Sequence, residues 1–215
     1  MSELIQHESL GVLVANKLRQ SIWNREINFG ENLIESDLSK KYGVSRSTIR
    51  DALKILENEG MVIIKPRKGA HVAEFSNEDW QEIIELRTMI ESHAFIKAAQ
   101  QLKDQHITAL ESILTKMKKQ VVAKNWGKLF DLDLEFHSYI VKLSGNSRMI
   151  KIYESIQVQI RTFLINLDKY YSSYEAFYEE QKELYDALLT KDPEHIEKTI
   201  NKHIQYVEDR ILADS

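Results

Sequence analysis

The sequence predicts a mainly α protein in two parts: a small helical unit closed by a β-hairpin, then an antiparallel all-helical bundle. Three observations predict it. Residues 42–53 carry a tight-turn glycine, a capping serine and a short amphipathic helix. Residues 61–73 hold two short β-branched or small-residue runs around a basic turn. Beyond residue 76 the only proline is Pro193, and long breaker-free stretches are rich in Leu, Ile, Glu and Lys.

The elements follow in order. Residues 10–23 are helical, with Val14, Leu18 and Ile22 repeating at four. Residues 29–33 read as a loop, and residues 34–42 as a short helix pointing Leu38 and Tyr42 inward. Gly43 permits a tight turn because it accepts backbone angles other residues resist. Ser45 is a good N-cap for the next helix, and Gly60 a natural C-cap. In that helix Ile49, Ala52, Leu53 and Leu56 fall at i, i+3, i+4 and i+7 and share a buried face. Arg46, Ser47, Arg50 and Lys54 fall on the opposite face. Strands are expected at 61–64 and 70–73, joined by the basic turn at 65–69.

Helix, helix, recognition helix and basic hairpin in that order make a winged helix-turn-helix. A short helix that shows two arginines one turn apart suits a major groove, where the guanidinium fork reads guanine edges or clamps phosphates. The basic hairpin suits the sugar-phosphate backbone or a minor groove. A surface helix with ordinary solvated arginines is the bland alternative. The charge distribution argues against it. The whole chain carries −4, yet residues 40–68 hold eight Lys/Arg against three Asp/Glu. A basic patch on an acidic chain marks one end as a nucleic-acid footprint.

Composition narrows the classes further. At 215 residues, 43% of them hydrophobic, the chain has room for one small and one larger domain, each with a core. It has no cysteine, which excludes disulfides and thiol catalysis and fits a reducing cytoplasm. The N-terminal residues 1–8 lack the pattern of a signal peptide, and no apolar stretch approaches membrane-spanning length. The expected location is the cytoplasm.

The run Gly30-Glu31-Asn32-Leu33-Ile34-Glu35, then Leu38, then residues 43–53, then Leu56-Glu57-Asn58-Glu59-Gly60 and Gly69-Ala70-His71-Val72 resembles the GntR family of bacterial transcription regulators. Where that family usually has proline and glutamate, this chain has Thr48 and Asp51. Neither change disturbs the arginine face. The resemblance implies that Arg46 and Arg50 are the main base or phosphate readers. It further implies that Ser45, Ser47 and Thr48 bind phosphates and that Lys68 and Gly69 form the wing tip.

The second part reads as six helices, at 77–101, 104–124, 126–144, 147–167, 174–190 and 193–212. Ser76 with Asp79 forms a capping box for the first, whose inner face is Ile83, Leu86, Ile90 and Ala94. Ile107, Leu110, Leu114 and Met117 face inward on the second. Asn125 caps the third, Gly145-Asn146 ends it, and Asp192-Pro193 opens the last. Asp133 and His137 are four apart and lie on one helical face. An oxygen ligand and an imidazole at that spacing either chelate one divalent cation or form an Asp–His contact at the surface or in the core.

Arg87-x-x-x-Glu91, Asp133-x-x-x-His137 with Ser144-Gly145-Asn146, and Asn201-Lys202-His203-Ile204 resemble the FCD ligand-binding domain of FadR-like GntR regulators. That resemblance implies a winged-helix domain over residues 1–75 and an effector-binding and dimerisation domain over 76–215. In such domains an Asp and three histidines often hold a metal that helps bind a small carboxylate effector. Here Asp133, His137 and His203 stand at three of those positions, and Gln181 stands at the fourth. An amide oxygen is a weak ligand beside a neutral imidazole. A three-ligand site for Zn, Ni or Mn, completed by water or effector, and a metal-free pocket are both open. Arg87 is placed to pair with an effector carboxylate, or with Glu91 at i,i+4, or with both.

The function expected is a DNA-binding transcription regulator, a repressor released by a small organic acid. Two copies would bind a pseudo-palindromic double-stranded operator, since one winged helix covers too few base pairs for useful specificity. Two other classes compete. A metal-dependent hydrolase or lyase built on the Asp133/His137/His203 cluster would leave the winged helix unexplained. An architectural DNA binder would need no effector pocket.

Overall fold

The computed structural model describes residues 8–165 and 171–212, with side chains described through residue 206. It divides into two compact units, Met1–Glu74 and Phe75–Ser215.

In the first unit, Ser9 caps α1 (Leu10–Trp23) by accepting the Val12 N–H. Helix α1 buries Val14, Ala15, Leu18 and Ile22. Strand β1 (Asn32–Leu33) leads into α2 (Glu35–Tyr42), which ends at Gly43 in the left-handed region at φ 65°. Ser45 then caps α3 (Arg46–Asn58), its hydroxyl accepting the Thr48 N–H at 3.2 Å. The buried stripe of α3 is Ile49, Ala52, Leu53 and Leu56, packed chiefly on α1. Truncating Leu53, 2% exposed, would cost about 2–5 kcal/mol.

The wing is β2 (Val62–Lys65) and β3 (Gly69–Val72). Its turn bends through Arg67 at φ 62° and Gly69 at φ 83°. The sheet has a third member, since β1 pairs antiparallel with β3 in the register Asn32↔His71. This corrects the loop expected at 29–33. The segment is held by its neighbours: Leu33 is buried, and the Glu31 carbonyl accepts the Val72 N–H at 2.9 Å. The wing strands begin and end one residue from where the sequence put them.

The described residues of the second unit form six helices. Ser76 and Asp79 form the expected capping box at the start of α4 (Asn77–Ala99). Then come α5 (Asp104–Ala123), α6 (Trp126–Leu143) capped by Asn125, and α7 (Ser147–Leu164) capped by Asn146. Helices α8 (Tyr174–Thr190) and α9 (Pro193–Leu212) complete it. The expected end of α7 at 167 lies outside the described residues. Helix α4 is central and packs against α9, α6, α7 and α8.

One inward residue was misplaced. Leu86 is 38% exposed, and the buried stripe of α4 instead runs through Ile83, Arg87, Ile90, Glu91, Ala94 and Ala98. The charged pair takes the place given to leucine because partners from other helices satisfy it. Among the described residues no helix is long and apolar enough to cross a membrane.

Candidate functional site

The first unit places its candidate DNA-contacting residues at the surface. Ser45, Arg46, Ser47, Arg50, Lys68 and Gly69 are exposed, and Thr48 is half-buried. The Ser45 hydroxyl also lies 2.7 Å from that of Ser47 and 2.9 Å from that of Thr48, so the three hydroxyls form one polar knot at the start of α3. Arg50 is held from one side. Its Nε donates to both carboxylate oxygens of Glu35 on α2, at 3.0 and 2.9 Å. That hydrogen bond and the charge of Glu35 raise the Arg50 pKa further above its already high ordinary value.

The second unit places Arg87, Glu91, Asp133, His137, Gln181 and His203 together in its core, each under a tenth exposed. Arg87 Nε donates to Glu91 Oε1 at 2.8 Å. Tyr153 OH from α7 donates to the same oxygen at 2.7 Å. Glu91 Oε2 lies 2.7 Å from His137 Nδ1. Burial alone would raise the Glu91 pKa, but the Arg87 guanidinium and then His137 outweigh it and hold the carboxyl well below the usual range. Arg87 is the mirror case: burial opposes its charge, and Glu91 and Asp133 more than restore it.

An ionised carboxylate only accepts, so His137 carries its hydrogen on Nδ1. Arg87 Nη2, which only donates, stands 3.4 Å from His137 Nε2. His137 Nε2 is thus the ring nitrogen turned toward the cluster. Asp133 Oδ1 lies 3.7 Å from that nitrogen. The His203 ring stacks on His137 at 5.2 Å, and burial pushes its pKa down, favouring the neutral, ligand-competent form.

Asp133, His137 and His203 bring one ligand atom each to within 4.8 Å of one another. Asp133 Oδ2 has no hydrogen-bond partner among the described residues, and His203 Nδ1 lies 3.5 Å from Glu180 Oε2. An unpartnered buried carboxylate oxygen on a two-nitrogen, one-oxygen donor set fits a borderline divalent cation such as Zn, Ni or Mn. Gln181 joins the cluster as a donor, its Nε2 giving a hydrogen to Asp133 Oδ1 at 2.6 Å. Its Oε1 has no hydrogen-bond partner among the described residues. Of the alternatives for Arg87, the pairing with Glu91 is seen, and Nη2 stands beside the cluster.

A pocket of about 150 Å³ reaches His203 and is lined further by Glu180, Glu183, Thr199, Lys202 and Tyr206. Sequence reasoning missed Tyr153, Glu180 and the supporting role of Glu91. For Glu91 a signal existed. Arg87, Glu91, Ala94 and Ala98 fall on one helical row, and small residues on that row mark it as facing the core.

Comparison with known proteins agrees with both halves. The family "Bacterial regulatory proteins, gntR family" matches residues 11–72, and "FCD domain" matches residues 82–206. The gluconate operon transcriptional repressor of Bacillus licheniformis is 28% identical over 212 residues, 96% of this chain and 87% of that protein. The Nta operon transcriptional regulator of Aminobacter aminovorans is 32% identical over 132 residues, 61% of this chain and 62% of that one. Among solved structures, a putative transcriptional regulator GntR from Rhodococcus sp. RHA1 has the same fold, with a TM-score of 0.80 at 22% identity over 95% of this chain and 98% of that one.

Proposed function

Because this chain belongs to the GntR family of bacterial transcription regulators and carries an FCD domain, we propose that it is a repressor whose operator binding is released by a small organic acid held in the helical unit. It is a DNA-binding regulator and not an enzyme. In this reading residues 1–75 bind DNA through Ser45, Arg46, Ser47, Thr48, Arg50, Lys68 and Gly69. Residues 76–215 bind the effector and form a homodimer that matches a pseudo-palindromic operator.

One observation carries the effector half. The second unit buries a guanidinium, two carboxylates and two imidazoles, of which His203 lines a pocket and Asp133 Oδ2 has no hydrogen-bond partner among the described residues. Buried polar groups cost stability unless they are satisfied, so a core that keeps one unsatisfied fits a ligand that completes it. Asp133, His137 and His203 would hold a divalent cation, which would supply a positive anchor for a carboxylate. Arg87 supplies a second positive group, through its Nη2 edge. Glu91 fixes the His137 tautomer and keeps Nε2 free. A ligand that draws Arg87 or His203 toward itself alters the packing of α4 against α9. Differential binding to two arrangements of that pair is what would couple the pocket to DNA binding.

The test uses untagged protein purified without chelators. A duplex enriched by the protein from a random-sequence library serves as operator. Elemental analysis fixes the metal content. Carboxylic acids, with gluconate first because two relatives are named for a gluconate operon, are then titrated with and without added Zn²⁺. Release of the duplex by one acid, lost in Arg87→Ala, supports the reading. DNA affinity indifferent to every acid, with no thermal shift from any of them, overturns it.

A further inference from the structure

Arg50 of α3 and Glu35 of α2 form an ion pair at a surface where an unpaired cation would be expected. Their side chains are 60% and 36% exposed. An acidic residue on a phosphate-facing surface weakens DNA binding through charge, so its presence there calls for a gain elsewhere. The geometry shows where. Glu35 takes only the Nε hydrogen of Arg50, at 2.9–3.0 Å. Among the described residues nothing accepts from Nη1 or Nη2. Those two nitrogens make the end-on fork that matches the O6 and N7 acceptors of guanine. A guanidinium gripped at Nε can rotate little, and its fork points away from the carboxylate that grips it.

We propose that Glu35 is the specificity-determining partner of Arg50: it aims the guanidinium fork at a base edge and, by cancelling its charge, keeps Arg50 from settling on a phosphate. This rests on the reading of Arg50 as a base contact. The pair stays together on DNA, one side of the guanidinium on Glu35 and its end on the base. Random DNA offers phosphates but no matching base, and there the neutralised pair has little to gain. Arg46 has no acidic partner among the described residues, which leaves it suited to the phosphate chain. Glu35 is also the first residue of α2, where a negative charge suits the helix N-terminus. That role affects stability and leaves the salt dependence of DNA binding alone.

The test compares wild type, Glu35→Gln and Arg50→Ala on two probes: the duplex enriched by wild type from a random library, and a pool of random duplex. Glu35→Gln is expected to bind random duplex more tightly. Its plot of log affinity against log salt steepens by about 0.9, the equivalent of one more phosphate contact. The ratio of enriched to random affinity falls about tenfold. Re-selection with Glu35→Gln loses preference at one base position per half-site, the same position that Arg50→Ala loses. If Arg50→Ala abolishes that preference while Glu35→Gln keeps the wild-type slope and ratio, the Glu35 inference falls and the Arg50 reading stands. If Arg50→Ala leaves the enriched duplex as tightly bound as before, both fall. A Glu35→Gln protein weaker on both probes with an earlier thermal transition has lost a structural residue, and the inference falls again.

Discussion

Glu91 Oε2 and His137 Nδ1 meet at 2.7 Å between α4 and α6, at zero exposure for both residues. The contact settles which imidazole nitrogen carries hydrogen and which faces the cluster. The same carboxylate also holds Arg87 and Tyr153. Its removal therefore frees three groups at once.

Glu91→Gln is expected to lower unfolding stability by about 3 kcal/mol or more, because it leaves a buried guanidinium without its neutralising partner. Urea unfolding of the two proteins measures this. A difference under about 1 kcal/mol would mean that Asp133 alone suffices to balance Arg87.

Gln181→His is expected to tighten Zn²⁺ binding, since an imidazole then stands beside Asp133, His137 and His203. Competition against a colorimetric chelator gives the affinity. An unchanged value would place residue 181 outside the coordination sphere, with its amide serving only to donate to Asp133.

On DNA the two cations Arg50 and Lys68 should separate by type of contact. Arg50→Ala is expected to cost about 1–3 kcal/mol on the enriched duplex and little on random duplex. Lys68→Ala at the wing is expected to weaken both alike and to flatten the salt slope by about 0.9. Titrations at several salt concentrations separate the two patterns. A sequence-dependent loss in Lys68→Ala would move the wing from backbone to base contact.

Tyr185 donates to Glu111 at 2.9 Å across α8 and α5, and burial first, then that bond, pushes its pKa up to about 12. A hydroxyl whose folded pKa exceeds its unfolded value adds stability below the unfolded value of 10 and loses it as pH rises toward 12. Tyr185→Phe should therefore be less stable than wild type at pH 8, by about 1 kcal/mol. The gap should close on the alkaline side. Unfolding of both proteins at pH 8 and pH 11.5 measures it, and a gap that widens with pH would refute the assignment.

The architecture was readable because its signals are local. Ser45, Gly43 and the stripe Ile49–Ala52–Leu53–Leu56 each act within one turn or one helix, and so do the caps at Ser76 and Asn125. Two features were not local. The two-residue strand β1 has no period to detect and exists through its pairing with β3. The inward turn of Arg87 and Glu91 in place of Leu86 depends on Tyr153 and His137, which arrive from helices tens of residues away. The site was legible where a residue spacing carried it, as for Asp133 and His137. His203 and Gln181 were placed by family resemblance, and Tyr153 and Glu180 lay beyond both.

The two candidate sites differ in how deeply they are set. The residues of α3 that would meet DNA lie at the surface, where substitutions usually shift stability by no more than about 0.5 kcal/mol. The polar cluster in the helical unit is buried and mutually bonded, so a single change there disturbs folding along with binding. Over evolutionary time the set of promoters this lineage answers to can drift one substitution at a time. If the cluster holds an effector as proposed, that signal can change only through coordinated replacements, so descendants of such a protein would switch target genes more readily than they switch the compound that informs them.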